Sequence, residues 1–191
     1  MTFFRAGPFA LTAFVLTSLL LSVTGGGARA QERGSEPVLK AEFIERFTRF
    51  IDWPRDVLGT SGPFRLCVVG STPVAMALEQ LARTRRFKGH GATSVRLVAL
   101  DGLAGCHMVF IDSSERRRLE DILSRTAGRP ILTVGDTDGF SARGVIINFY
   151  RSGSRLRFEI NIAAALESGL RFRSKLLKLA RVTGVDDGAL R

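Results

Sequence analysis

The residues best equipped for chemistry lie in the last quarter of the chain, where polar side chains alternate with apolar ones. Between positions 155 and 162 the polar set is Arg155, Arg157, Glu159 and Asn161. Alternate side chains of a β-strand lie on one face, so this spacing predicts a strand with one apolar and one charged face. Such a face is usually solvated, but guanidinium groups beside a carboxylate and an amide also suit an anionic or polar ligand. Arg171 and Arg173 would add charge to that site if the helix after them packs back on the strand.

Catalytic and metal-binding patterns are weak by comparison. The sequence contains no Gly-x-Ser-x-Gly nucleophile elbow, no Ser-x-x-Lys pair and no His-Glu-x-x-His zinc motif. Of its two histidines, His90 lies between glycines, and His107 would point to the strand face opposite its neighbour Cys106. We therefore predict a protein that is not an enzyme, with no cofactor and no metal site.

Two cysteines, Cys67 and Cys106, lie in or beside predicted strands. An even number of cysteines in an oxidising compartment favours a disulfide. Closing a loop of this length would stabilise the fold by roughly 3 to 4 kcal/mol in the chain-entropy description. The alternative is a pair of separate buried thiols that act as small hydrophobic side chains.

An aromatic stripe lies near the start of the globular region. Apolar residues over positions 38–51 recur at three- and four-residue steps, which is typical of one face of a helix. Its aromatic members are Phe43, Phe47 and Phe50, and Trp53 follows where the helix should end. Side chains at this spacing normally pack into a core. The alternative is a contact surface for a partner that uses Phe43, Phe47 and Trp53.

The elements that must position these residues alternate between strand and helix. The predicted strands are 64–69, 94–100, 107–111, 131–134, 145–150 and 155–162, and the predicted helices are 38–51, 72–81, 113–124 and 174–182. The alternation indicates a parallel sheet, whereas the four-residue linker between the last two strands predicts an antiparallel hairpin. The expected fold is therefore a single α/β domain, with a mixed, mostly parallel sheet flanked by helices and a C-terminal antiparallel hairpin.

The N-terminal segment has the three parts of a secretory signal peptide. Arg5 precedes an apolar run over 9–23, and Ala28-Arg29-Ala30 supplies a small-residue cleavage site. The alternative, an uncleaved anchor, is weaker because the run is shorter than the roughly 20 residues that span a bilayer. We expect cleavage after Ala30 and a periplasmic mature protein, with a flexible leader at 31–37, the domain at 38–183 and a tail at 184–191.

The chain is strongly basic, with 28 Lys and Arg residues against 18 Asp and Glu residues and a formal net charge of +10. In the cytosol this charge would suggest nucleic acid. Outside the cytosol it suits anionic lipid headgroups, cell-wall polymer or an acidic protein, so we expect no nucleic-acid partner. A genome that favours Arg over Lys would give a similar balance without any such partner.

Several segments together resemble the YfiR-like family of periplasmic regulators. The most specific are Gly139-Phe140, Ile147-Asn148-Phe149, Arg157-Phe158-Glu159-Ile160-Asn161 and the run from Ser174 to Ala180. Members of that family are α/β domains that bind the periplasmic sensor region of an inner-membrane diguanylate cyclase and so restrain cyclic-di-GMP synthesis and biofilm formation. The resemblance implies the same fold and role here, together with a disulfide between Cys67 and Cys106. This chain lacks the second cysteine pair that some members have.

The resemblance implies a repressor whose partner is the periplasmic region of a diguanylate cyclase or a related sensor protein, and it leaves a homodimer open. The candidate contact residues are Phe43, Phe47, Trp53, Arg157, Glu159, Asn161, Arg171 and Arg173. Two other classes remain as alternatives. One is a periplasmic module that binds a small ligand or the cell wall, and the other is an undiscovered hydrolase.

Overall fold

The computed structural model describes Thr2 and residues 27–59 and 62–185, with side chains described from Glu36 onward. The chain divides into two compact units at residue 35, and the unit that begins at Glu36 contains the whole sheet. The predicted signal peptide lies almost entirely outside the described residues. Among those that are described, no helix combines the length and apolarity needed to cross a membrane.

Five helices and ten strands are assigned within the described residues. The helices are α1 (Gly27–Thr48), α2 (Pro73–Thr84), α3 (Leu119–Thr126), α4 (Ile162–Glu167) and α5 (Ser174–Leu177). The strands are β1 (Ile51–Asp52), β2 (Phe64–Val69), β3 (Arg86–Phe87), β4 (His90–Leu97), β5 (Met108–Ile111), β6 (Leu132–Gly135), β7 (Ile147–Ser152), β8 (Arg155–Asn161), β9 (Arg171–Phe172) and β10 (Arg181–Thr183). Short 3₁₀ turns cover Leu100–Gly105, Ser113–Glu115 and Ser141–Arg143.

Eight of these strands form one mixed sheet in the order β10-β8-β7-β6-β5-β2-β4-β3. The pairs β10–β8, β7–β6, β6–β5, β5–β2 and β2–β4 are parallel, whereas the hairpins β7–β8 and β3–β4 are antiparallel. The predicted α/β class, the mostly parallel sheet and the C-terminal hairpin are confirmed. The short strands β1 and β9 pair separately as an antiparallel sheet.

Two apolar clusters cover opposite faces of the sheet, because successive side chains of a strand alternate in direction. Leu66 and Val68 of β2 pack in the cluster that includes α1 and α2 residues. Cys67 and Val69 pack in the cluster that includes α3 residues. The central strands are buried on both faces, which explains their almost continuous apolar sequences.

Local sequence accounts for several boundaries. Strand β2 has the bounds that its apolar run predicts, and α2 begins where Thr72 accepts a hydrogen bond from the Ala75 amide, with Pro73 in the first turn. Strand β4 begins at His90, four residues before the predicted start, and ends at Leu97.

The last predicted helix differs in type from what the structure shows. The helix predicted over 174–182 ends at Leu177, and Arg181–Thr183 forms strand β10 instead, because this segment pairs with the free edge of β8. Helix α1 includes residues 31–37, and the predicted flexibility of that segment stays a prediction.

Candidate functional site

A polar network connects β7, β8 and β10 at one end of the sheet. Asn148 is fully buried, and its amide nitrogen donates to the Thr137 carbonyl at 3.0 Å and to Glu159 Oε1 at 3.1 Å. The Thr137 amide in turn donates to Asn148 Oδ1 at 3.2 Å. Arg181 donates from Nε to Glu159 Oε2 at 3.0 Å, and its Nη2 contacts the same oxygen. Its guanidinium carbon lies 3.9 Å from the centre of the Tyr150 ring.

The burial of Glu159 and Asn148 indicates that this network stabilises the fold. The Glu159 side chain is only 8% exposed, and both of its oxygens are hydrogen bonded. The ion pair with Glu159 raises the pKa of Arg181. Because a buried polar group without a partner is costly, these bonds stabilise the junction of three strands. They leave Glu159 without a free oxygen for acid–base chemistry.

The other three polar residues predicted for this face, Arg155, Arg157 and Asn161, differ in what they contact. Asn161 donates from Nδ2 to the Ser141 carbonyl at 2.9 Å and accepts at Oδ1 from the Ala164 amide at 3.0 Å, which caps α4. Arg157 is exposed and lies opposite Tyr150 across the hairpin. On this face Arg155 and Arg157 are exposed, whereas Glu159 is buried.

The aromatic stripe packs mainly into the core. Phe47 is 3% exposed, stacks on Phe149 with ring centres 5.8 Å apart, and packs against the tilted ring of Phe158 at 4.6 Å. Trp53 is 8% exposed and meets Phe64 edge to face. Phe43 is half-buried and packs against the same cluster. The structure therefore offers little of this stripe to a partner.

Arg171 and Arg173 lie at the two-stranded sheet, where both are next to Asp52 and not to Glu159. Arg171 pairs in register with Asp52, and Arg173 donates to Asp52 Oδ1 at 3.0 Å. Lys88 donates to the same oxygen at 2.8 Å. Hydrogen bonds from Arg173 and then Lys88 hold the pKa of Asp52 down at about 2. Both arginines are exposed.

A cleft of about 370 Å³ opens at the carboxyl ends of β5 and β6. Its lining residues are Glu36, Lys40, Ser113, Arg116, Asp136, Thr137, Asp138, Phe149, Tyr150, Arg151 and Leu156. Lys40 lies between Glu36 at 3.1 Å and Asp136 at 3.3 Å, and burial raises the pKa of Asp136. The Thr137 hydroxyl is buried with no hydrogen-bond partner among the described residues. Ligands of open α/β sheets commonly bind at this edge.

The two cysteines are joined in the structure. Cys67 and Cys106 form a disulfide within the α3-side cluster, and both are buried. His107, next to Cys106, accepts a hydrogen bond at Nδ1 from the Arg65 amide at 2.9 Å, and burial lowers its pKa. Within the described residues, no group of three or more His, Cys, Asp or Glu side chains is arranged to hold a metal ion.

The profile of the YfiR/HmsC-like family matches residues 37–181, which is most of the chain. The chain belongs to the YfiR/HmsC-like family. Members of this family are periplasmic regulators. The match covers both sheets up to the first residue of β10, and with them the polar network and the disulfide.

A crystal structure of a conserved domain protein from Vibrio cholerae O1 biovar El Tor has a similar fold, with a TM-score of 0.53 at 11% sequence identity. The similarity covers 78% of this YfiR/HmsC-like chain and 60% of the Vibrio chain. This chain therefore spans less than two thirds of the protein it matches, and the likeness concerns the fold alone.

Sequence reasoning missed Asn148, Tyr150 and Arg181 as members of the polar network. Asn148 carries a usable signal, because an amide in an otherwise apolar strand must find a partner when it is buried. Arg181 carries no such signal, because its position depends on strand β10. The sequence pattern of that segment predicts the end of a helix instead.

Proposed function

We propose that this chain represses an inner-membrane diguanylate cyclase by binding the periplasmic sensor region of that enzyme. The observation that carries the proposal is the YfiR/HmsC-like match over residues 37–181. The signal-peptide pattern of residues 1–30 supports it, because that pattern directs the domain to the compartment where such a sensor region lies.

Repression of this kind requires no chemistry in the repressor. A domain that binds the inactive conformation of a sensor better than the active one shifts the sensor's population toward inactivity. The shift then passes to the cytoplasmic cyclase domain through the cyclase's own membrane helices. A stress that weakens the complex restores cyclic-di-GMP synthesis.

The exposed arginines of the predicted set provide the contact surface in this proposal. Arg157 on the hairpin and Arg171 and Arg173 at the small sheet present guanidinium groups to solvent. Such groups bind carboxylates through paired, charge-assisted hydrogen bonds. Three predicted residues are buried, so in this proposal they affect binding only by stabilising the fold: Phe47, Trp53 and Glu159.

The test is a gene deletion combined with capture of the tagged full chain from membranes. The expected result is a rise in cyclic-di-GMP on deletion, its reversal by complementation, and a co-purified diguanylate cyclase identified by mass spectrometry. An Arg157→Glu chain should capture less of that cyclase, whereas Arg129→Glu serves as the exposed control. Unchanged cyclic-di-GMP and no captured cyclase would overturn the proposal.

A second candidate function is favoured by the cleft at the ends of β5 and β6. Its mixture of acidic and basic side chains suits a small zwitterionic or polar ligand. A ligand that binds the native state alone raises the melting temperature. Thermal shift with free amino acids and with inorganic phosphate tests this candidate, and a shift that survives Lys40→Met would place binding elsewhere.

A further inference from the structure

Strand β4 has an outer edge that the rest of the sheet leaves open. Along positions 92–97 it pairs with β2 on its inner side. On its outer side β3 covers only His90 and Gly91. Among the described residues, no other backbone group bonds to positions 92–97. Because backbone groups of a strand point alternately to its two sides, half of those in this segment face outward and can pair with another strand.

A groove of about 460 Å³ runs beside this edge, between α2 and β4. Its walls are Glu79, Ala82 and Arg83 of α2 and Ala92, Thr93, Ser94 and Arg96 of β4. The Ser94 hydroxyl is buried there with no hydrogen-bond partner among the described residues. A buried hydroxyl without a partner is costly, so the groove has a polar group to which no described residue bonds.

The charge beside the edge selects one kind of occupant. Arg83, Arg85 and Arg86 are exposed, and none of them makes an ion pair with a described residue. Arg96 is already neutralised, because its Nη2 lies 2.7 Å from Glu79 Oε1. The unpaired charge is positive, which favours an acidic strand. A second copy of this chain would bring the same arginines together across the pair.

Apolar side chains extend the same surface. Met76 is 56% exposed and lies one helical turn before Glu79 on the stripe of α2 that borders the groove. Val98, directly after β4, is 85% exposed. Natural edge strands are commonly protected by charged side chains, proline or a bulge. Segment 92–97 has no proline and pairs with β2 in continuous register, and its one charged side chain, Arg96, is paired with Glu79.

We propose that an extended, acidic segment of the partner adds to the β4 edge as a further strand, with its side chains in the groove beside α2. This inference rests on the proposed function, because the segment belongs to the periplasmic region of the repressed cyclase. Strand addition supplies affinity through main-chain hydrogen bonds, and the flanking side chains supply specificity.

Hydrogen exchange of the full chain, alone and with the captured cyclase's periplasmic region, tests the mode of binding. The outward amides within 92–97 should exchange quickly in the free chain and slowly in the complex. Protection confined to the hairpin or the small sheet would overturn the inference while leaving the proposed function intact. If the wild-type chain binds no cyclase region, both fail.

Charge reversal tests the same edge by affinity. The double variant Arg83→Glu, Arg85→Glu should bind the cyclase region about tenfold more weakly or worse, mainly through slower association. The matched control, Arg117→Glu with Arg129→Glu, changes net charge equally at exposed positions after β5 and α3. Equal affinity of the two double variants would overturn the inference. So would a concentration-dependent dimer of the free chain with protected 92–97 amides, because a second copy would then be the occupant.

Discussion

The two ends of the eight-stranded sheet handle polar groups in opposite ways. At the β10 end, Glu159 and Asn148 are buried and bonded to each other, and Arg181 closes the network. At the β4 end, within the part of the chain that the structure describes, the Ser94 hydroxyl is buried without a partner and no strand pairs with the outer side of 92–97. At the first end the charged and amide side chains bond to one another, although the Thr137 hydroxyl has no partner among the described residues. The second end leaves a strand edge available as well.

This difference teaches that charge on a strand is a poor guide to a binding surface until the partners of each group are known. Glu159 is the central carboxylate of the predicted charged face, yet it contributes to stability. Ser94, which the sequence does not distinguish, lies where a hydrogen bond is missing. Binding is better sought where the fold leaves groups unsatisfied than where charge is concentrated.

The largest expected effect comes from removing the disulfide, which lies near the open edge of β4. The disulfide joins Cys67 of β2, the inner neighbour of β4, to Cys106 before β5, across a separation of 39 residues. In the chain-entropy description, the double variant Cys67→Ala, Cys106→Ala should lose about 4 kcal/mol of unfolding free energy. Urea denaturation measures this loss. A change below about 1 kcal/mol would show that packing alone holds this part of the sheet, since such losses are ordinary for point variants.

The next effect tests whether the β10 end is a structural junction. Glu159→Ala should lower the free energy of unfolding by about 2 kcal/mol, because it removes a charged acceptor that bonds to two Arg181 nitrogens and to the Asn148 amide. Arg157→Ala, on the same face but exposed, should change stability by less than about 0.5 kcal/mol. Should Glu159→Ala keep full stability but abolish capture of the cyclase, the network would be a binding site after all.

A smaller, pH-dependent effect is expected at the two-stranded sheet. Hydrogen bonds from Arg173 and Lys88 lower the pKa of Asp52 from 3.8 to about 2. A lowered carboxyl pKa stabilises the fold above the unfolded value, and this contribution is lost as the pH falls through 3.8 toward 2. Since the Asp52 side chain is 46% exposed, solvent screening keeps the contribution below about 1 kcal/mol.

Arg173→Gln isolates the contribution of Asp52 to stability in acid. The substitution removes the larger of the two hydrogen-bonding contacts that lower the Asp52 pKa, while the Lys88 contact remains. The variant should lose less stability than the wild type over the same acid range, and urea midpoints at each pH give the difference. Parallel pH profiles for the two chains would mean that the Arg173 contact does not form in solution.

Local pattern predicted the elements whose signals lie within a few residues. The apolar run of β2 and the Thr72-Pro73 start of α2 are such cases. Patterns could not predict which polar residues of β8 become covered, because alternation distinguishes two faces without saying what packs on either. The pairings of β10 with β8 and of β1 with β9 join segments far apart in sequence, where no local signal exists.

The last comparison concerns one hydroxyl at each end of the sheet. Ser141 Oγ lies 2.9 Å from Thr183 Oγ1 of β10, so Ser141→Ala should cost about 1 kcal/mol of unfolding free energy. Ser94→Ala removes a buried hydroxyl that has no partner, so it should leave stability unchanged or raise it by up to about 1 kcal/mol. We therefore expect the two substitutions to change the free energy of unfolding in different directions, and chemical denaturation of both variants measures these changes. A comparable loss at both positions would mean that Ser94 is already bonded in the free protein, and the β4 edge would lose one of its arguments as a docking site.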